Sequence, residues 1–199
     1  MIRILVVVCC LLSTGVGAQK ESTVIVISMD GVSHDIEDNV SLTAFKRMEQ
    51  LGIKADHLIP VYPSTTYPAH VSLATGVYPN RHGILHNSFI DAQKGFFNYD
   101  ADANWIETPP IWVLAEQQGI TTAVFFWIGS ETDWRGIGAS YRKAPFDPNI
   151  TEEEKIDQIL QWLDMDDDQR PRLIMSYWDG TDDLGHLDGP ESPRVSQQL

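Results

Sequence analysis

Three short apolar runs, each closed by a polar turn and separated by helical stretches, restrict this chain more than any other feature. Thr23-Val-Ile-Val-Ile-Ser28 is a continuous β-branched run that ends in Met29-Asp30-Gly31. A run without polar alternation suits a strand covered on both faces, as in a parallel sheet, and Asp-Gly supplies the turn that stops it. Ile120–Trp127 and Arg172–Trp178 are the second and third runs, followed by Gly129-Ser130 and by Asp179. Between them, Leu42, Phe45 and Met48, with Leu51, mark one amphipathic helix, and Ile156, Ile159, Leu160 and Leu163 mark another at i, i+3, i+4, i+7. Thr151-Glu-Glu-Glu154 has the capping-box pattern that opens the second helix, and Pro171 separates it from the third strand. Strands alternating with helices predict an α/β domain with a mostly parallel central sheet. Ligands of such sheets bind beyond the carboxyl ends of the strands, which is where these polar residues fall.

The first 18 residues stand apart. Arg3 precedes an uncharged apolar stretch, Ile4 to Ala18, whose Val16-Gly17-Ala18 end has the small-residue spacing of a signal-peptidase site. Residues 1–18 are therefore expected to be a cleaved signal peptide, which makes the product secreted or periplasmic. The stretch is shorter than the roughly 20 residues that span a bilayer, so a retained membrane anchor is the lesser alternative. Both cysteines, Cys9 and Cys10, lie inside it. The remainder has none, which sets aside a disulfide-built scaffold, a thiol nucleophile and a cysteine-based zinc finger. The formal net charge of -14, from 14 basic and 28 acidic residues, disfavours duplex nucleic acid and anionic membranes and leaves small substrates and cations open. Asp164, Asp166, Asp167 and Asp168 read as a solvated turn, and Asn39-Val40-Ser41 and Asn149-Ile150-Thr151 match the N-glycosylation sequon.

Two constellations carry chemistry. Pro63-Ser64-Thr65-Thr66-Tyr67-Pro68-Ala69-His70 is a hydroxyl-rich turn running into an apolar periodic segment. A helix starting near Thr66 would aim its N–H groups and positive dipole end at a phosphoryl group, while the hydroxyls of Ser64, Thr65 and Thr66 are also the ordinary caps of a helix start. A threonine hydroxyl attacks only when a base or a metal stabilises its alkoxide, and Asp30 is a candidate to hold that metal. The second constellation is Tyr177-Trp178-Asp179-Gly180-Thr181-Asp182-Asp183-Leu184-Gly185-His186, directly after the third strand. Asp182 and His186 are four apart, so a helical turn starting here would bring a carboxylate oxygen and an imidazole nitrogen together, a pairing that suits Zn²⁺, while capping or packing is the alternative use of His186.

Taken together, these segments resemble the nucleotide pyrophosphatase/phosphodiesterase family of the alkaline phosphatase superfamily. Val-Ile-Val-Ile-Ser-Met-Asp30-Gly resembles its first strand and metal aspartate. Thr66-Tyr-Pro-Ala-His70 with Thr75-Gly76-Val-Tyr-Pro79-Asn-Arg-His82-Gly83-Ile is similar to its nucleophile helix and the following loop. Phe126-Trp127-Ile-Gly129-Ser130 resembles its Trp-Pro-Gly-Ser turn, and Thr181-Asp182-Asp-Leu-Gly185-His186 its Pro-Asp-x-x-Gly-His metal motif, in matching order over Thr23–Pro190. The resemblance implies a three-layer alkaline-phosphatase-like sandwich and makes Thr66 the nucleophile of a phospho-enzyme intermediate. Asp30 and Thr66 would ligate one zinc, Asp182 and His186 the other. Asn87 falls where the family donates a hydrogen bond to a phosphoryl oxygen, and Tyr67 and Phe146 fall where two aromatics hold a nucleotide base. His70 and His82 match family positions and are read as structural.

The chain also departs from that pattern. Ala69 stands where animal members carry asparagine, Thr65 where they carry lysine, and Ile128 where the Trp turn has proline. The family's Asp-His-Gly motif and a later histidine have no counterpart after His186; Asp56-His57 precedes the nucleophile and reads as the approach to a strand. Two Zn²⁺ are thus expected for the complete domain, with incomplete ligand sets here. Residues 19–199 are expected to be the N-terminal part of a phosphodiesterase catalytic domain, truncated at its C-terminus, inactive alone and exposing apolar sheet edges. The expected function is metal-dependent hydrolysis of nucleotide phosphodiester or pyrophosphate bonds. The alternatives are a phosphomonoesterase or lipid phosphodiesterase of the same superfamily, and a non-catalytic binding protein on a degenerate scaffold.

Overall fold

The computed structural model describes residues 22–33 and 42–198; the expected signal peptide and the sequon at Asn39 lie outside them. The first apolar run forms β1 (Val24–Met29) and the stretch after it α1 (Thr43–Leu51). Next come α2 (Thr66–Thr75), the short α3 (Pro79–His82), and an antiparallel hairpin of β2 (Ser88–Asp91) and β3 (Gly95–Asn98). They are followed by α4 (Ile111–Gln117), β4 (Thr122–Phe125), β5 (Tyr141–Lys143) and α5 (Glu152–Leu163). The third run forms β6 (Leu173–Trp178), leading into α6 (Gly180–Asp188) and α7 (Pro193–Gln198).

The main sheet has the order β1-β6-β4-β5, with every pairing parallel. The predicted α/β architecture and parallel sheet are therefore present, and the carboxyl ends of β1, β4 and β6 lie on one side. The register Met29↔Trp178 and the bond from the Asp30 N–H to the Trp178 carbonyl (2.9 Å) bring the ends of β1 and β6 level. β4 and β6 are buried throughout most of their length, with Val124 and Ile174 wholly inaccessible, and Trp112, Trp127 and Phe97 fill the space around them. The capping box at the start of α5 is present: Thr151 accepts from the Glu154 N–H, and the Glu154 carboxylate accepts from the Thr151 N–H at 2.9 Å.

Two expectations need correction. The residues after Asp56-His57 do not form a strand; residues 53–61 are irregular, with Ile53, Leu58 and Ile59 exposed. β1, read from its composition as covered on both faces, is instead accessible on both: Val24, Ile25, Val26 and Ile27 are 58%, 41%, 37% and 40% exposed. It is one of the two edges of the sheet, and β6 is its only strand neighbour among the described residues.

Candidate active site

The turn after β1 starts the site. Asp30 ends the strand, and Gly31 follows with φ +71, a left-handed conformation that glycine adopts without cost. A side chain at Gly31 would place its Cβ 2.7 Å from the Asp182 Cα, so the missing Cβ is what lets the first turn of α6 lie against the end of β1. The buried Thr181 hydroxyl donates to the Asp30 carbonyl and ties the same two segments together. On the carboxylate itself, Oδ2 accepts from the Tyr177 hydroxyl at 3.0 Å and Oδ1 from the Gly31 N–H at 3.1 Å.

Asp182 and His186 come together as their spacing requires, His186 Nε2 lying 3.5 Å from Asp182 Oδ2 on one face of α6. Desolvation and then the negative charge of Asp30 push the Asp182 carboxyl above its ordinary range, while His186 opposes the shift. The root of α6 is held from below. Lys155 of α5, with no accessible surface, places Nζ 2.6 Å from Asp179 Oδ1, and Glu152 Oε1 accepts from the Gly180 N–H at 3.1 Å.

Thr66 is the first residue of α2, as expected, but hydroxyl capping is not what holds this helix start. Thr65 occupies the N-cap position without a side-chain cap bond, and its hydroxyl oxygen is buried with no hydrogen-bond partner. The cap comes from outside the helix: Asn87 Oδ1 accepts from the Tyr67 N–H at 2.9 Å. Only the amide oxygen can accept from a backbone N–H, so the Nδ2 group is turned away from the helix; it donates to the Tyr99 hydroxyl at 3.4 Å. Pro68 has no N–H and Ala69 N–H bonds the Thr65 carbonyl, which leaves the Thr66 N–H as the donor of the first turn that has no partner among the described residues.

Behind Thr66, His70 Nδ1 lies 2.8 Å from the Thr66 carbonyl oxygen and Nε2 lies 2.8 Å from Ser28 Oγ. A carbonyl accepts only, so His70 donates from Nδ1 and accepts from the Ser28 hydroxyl. His82 is equally committed: its Nδ1 accepts from the Ile84 N–H at 3.2 Å and its Nε2 faces Ser72 Oγ at 2.9 Å. Burial lowers its pKa to about 4, which keeps the ring neutral. Both histidines thus serve the packing of α2.

Tyr67 and Phe146 do not stack on one another. Tyr67 packs edge-on against Phe97 and Tyr99 at 5.6 and 5.4 Å, whereas Phe146 packs against Phe126 at 5.2 Å and Tyr177 at 6.2 Å. Glu131 relates to both: its carboxylate accepts from the Phe146 N–H at 3.4 Å, and its charge, after burial, helps raise the Tyr67 hydroxyl to about 12. Asp30, Thr66, Asn87, Asp182 and His186 all line a single open cavity of about 1670 Å³, with Tyr99 and His70 beside them. Tyr177, Tyr99 and Thr181 are the participants to which sequence reasoning gave no role; Tyr177 and Thr181 lay within the second constellation.

The donors on this cavity are two carboxylates, one imidazole and one hydroxyl, a set suited to a divalent cation such as zinc. The repulsion between Asp30 and Asp182 is what a bound cation would relieve. Among the described residues no group of three or more His, Cys, Asp or Glu converges closely enough to surround an ion; the donors fit a cation in kind, with Asp182 and His186 as the pair in contact.

Residues 24–199 match the family model described as type I phosphodiesterase/nucleotide pyrophosphatase. An uncharacterized pyrophosphatase/phosphodiesterase of Schizosaccharomyces pombe is 37% identical over 183 residues, covering 88% of this chain and 38% of its own. Human ectonucleotide pyrophosphatase/phosphodiesterase family member 1 is 34% identical over 163 residues, 79% of this chain and 18% of the relative. An inactive variant of murine ectonucleotide pyrophosphatase/phosphodiesterase 5, solved in complex with AMP, superposes with a TM-score of 0.82 at 26% identity over 89% of this chain and 48% of that one. The chain spans about half of that solved structure and a smaller share of the curated relatives. The fold is alkaline-phosphatase-like, with a mostly parallel central sheet.

Proposed function

Because the chain belongs to the type I phosphodiesterase/nucleotide pyrophosphatase family, we propose that it supplies the nucleophile half of an active site that hydrolyses nucleotide phosphodiester or pyrophosphate bonds. The observation that carries this reading is the convergence of Asp30, Thr66, Asn87, Asp182 and His186, from four separate stretches of sequence, on one cavity. In this reading Thr66 Oγ attacks phosphorus in line with the leaving ester oxygen. A phosphodiester of Thr66 that still carries the nucleoside forms as the P–O bond to the leaving group breaks, and water then cleaves its bond to Thr66, releasing the nucleoside monophosphate and returning the hydroxyl. The Asn87 amide, fixed by the Tyr67 N–H, presents Nδ2 hydrogens to a phosphoryl oxygen, and the open Thr66 N–H at the positive end of α2 adds a second donor. Asp30 and Thr66 would hold one zinc, and Asp182 and His186 the other. Bound zinc supplies the positive charge that stabilises the threonine alkoxide and the developing phosphoryl charge. Tyr67 and Phe146, on either side of Glu131, would face the two sides of a base.

Several further parts belong to the same proposal. Residues 1–18 act as a cleaved signal and the product is secreted or periplasmic; among the described residues no helix is long and apolar enough to cross a membrane. Residues 19–199 form the N-terminal part of the catalytic domain and are inactive alone, since each zinc finds two protein donors here where a catalytic zinc takes about three.

The test compares a nitrophenyl nucleotide ester with nitrophenyl phosphate, using the protein expressed from the full reading frame that contains this chain. Faster release from the diester, abolished by Thr66→Ala and by zinc chelation, is the expected result. Faster monoester cleavage would favour a phosphomonoesterase, and nucleotide binding with turnover absent in the parent and unaltered by Thr66→Ala would favour a binding protein. Zinc-dependent turnover by the isolated 199 residues would overturn the expectation of inactivity.

A further inference from the structure

The proposed function assigns no task to Tyr177, yet this one side chain touches three parts of the site. Its hydroxyl donates to Asp30 Oδ2 at 3.0 Å. Its ring lies edge-on to His70 at 5.0 Å, the residue that holds the Thr66 carbonyl. On another side the Phe146 ring lies 6.2 Å away. Tyr177 is 6% exposed, on the interior strand β6, where it pairs with Ser28 of β1, while the ladder to β4 ends at the residue before it, Ser176. Such a residue has little freedom to follow a moving partner; the partner must conform to it.

We propose that Tyr177 is a positioning residue that sets the orientation of the Asp30 carboxylate for cation binding and locks it to the helix carrying Thr66. The inference rests on the reading of Asp30 as a zinc ligand. A carboxylate at a strand end rotates about two torsions, and a ligand that must be ordered as the ion arrives binds it more weakly. The Tyr177 hydroxyl takes one lone pair of Oδ2 and the Gly31 N–H one of Oδ1, which fixes the plane of the group and leaves one lone pair on each oxygen for an ion. Hydrogen bonds from outside the ligand shell orient ligands in this way, and losing one typically weakens metal binding about 10- to 100-fold. Because the same ring braces His70, the position of Asp30 and that of the Thr66 backbone are set by one rigid group.

Tyr177→Phe removes only the hydroxyl and keeps the ring contacts. The measurement is zinc affinity, by calorimetric titration, of the protein expressed from the full reading frame that contains this chain, with thermal unfolding of the chelated protein recorded in parallel and Asp30→Asn carried through the same series. The expected result is a zinc Kd raised at least about tenfold in Tyr177→Phe, with the unfolding temperature of the chelated protein close to that of the parent. An unchanged Kd in Tyr177→Phe, with a clear loss in Asp30→Asn, overturns the positioning role and leaves the reading of Asp30 intact. A parallel fall in zinc affinity and in chelated stability marks Tyr177 as a general packing residue and also overturns it. If Asp30→Asn leaves zinc affinity unaltered, or the parent takes up no zinc at millimolar metal, the ligand assignment fails and the proposal falls with it.

Discussion

At the scale of residues, the site depends as much on an absent side chain as on those present. Gly31 carries the backbone of Asp182 against the end of β1 at a distance where a Cβ would overlap it, and its φ of +71 is one that other residues adopt under strain. Gly31→Ala is expected to destabilise the fold by about 1–3 kcal/mol through overpacking against backbone that cannot yield, and to separate Asp30 from Asp182. Urea unfolding measures the first effect and zinc titration the second; full stability with unchanged zinc binding would show that the contact is dispensable. In the sequence, Asp-Gly was legible as a turn, but not as a contact with a residue 151 positions later. Asp30, Thr66, Asn87, Asp182 and His186 could be singled out because their side-chain chemistry stands out from its surroundings. Tyr177 and Thr181 could not: an aromatic inside an apolar strand reads as core, and each acquires its role from a partner about 150 residues away.

At the scale of elements, α5 holds the start of α6. The capping box of α5 was visible from Thr151 and Glu154, since both partners lie three residues apart and local chemistry decides the outcome. The use made of that helix was not visible, because Lys155 follows three glutamates in a stretch that composition marks as surface. In the fold it is wholly buried against Asp179, beneath the turn that leads to Asp182, with its ammonium 5.9 Å from the Phe126 ring. Lys155→Met leaves Asp179 buried beside a thioether and is expected to cost about 3–5 kcal/mol, whereas pairing it with Asp179→Leu should recover much of the loss. Chemical denaturation of the two variants measures this; equal stability of Lys155→Met and parent would remove the ion pair from any account of how α6 is held. The β2–β3 hairpin escaped the sequence reading for a different reason. Ser88–Asp91 and Gly95–Asn98 are four residues each, too short for alternation to rise above chance.

At the scale of the molecule, the parallel sheet was predicted correctly while its cover was misjudged at one edge. β4 and β6 lie between neighbours and are buried as their composition requires, but β1 has the same composition with accessible faces, since strand neighbours and covering helices are decided far from the strand itself. Its side chains Val24 and Val26 share one face and Ile25 and Ile27 the other, so the edge is apolar on both sides and its outer backbone groups have no ladder partner among the described residues. An edge of this kind pairs with other chains unless charge opposes it. The net charge of -14 supplies a general repulsion, which salt screens within about 8 Å at physiological ionic strength. The 199-residue chain is therefore expected to self-associate as salt is raised, and Val24→Lys with Val26→Lys to suppress that association while leaving the circular dichroism spectrum unchanged, because neither side chain belongs to the buried core. Sedimentation velocity across a salt series measures both. Association that persists in the double variant would place the contact elsewhere, with the exposed apolar residues of 53–59 as the next surface to charge.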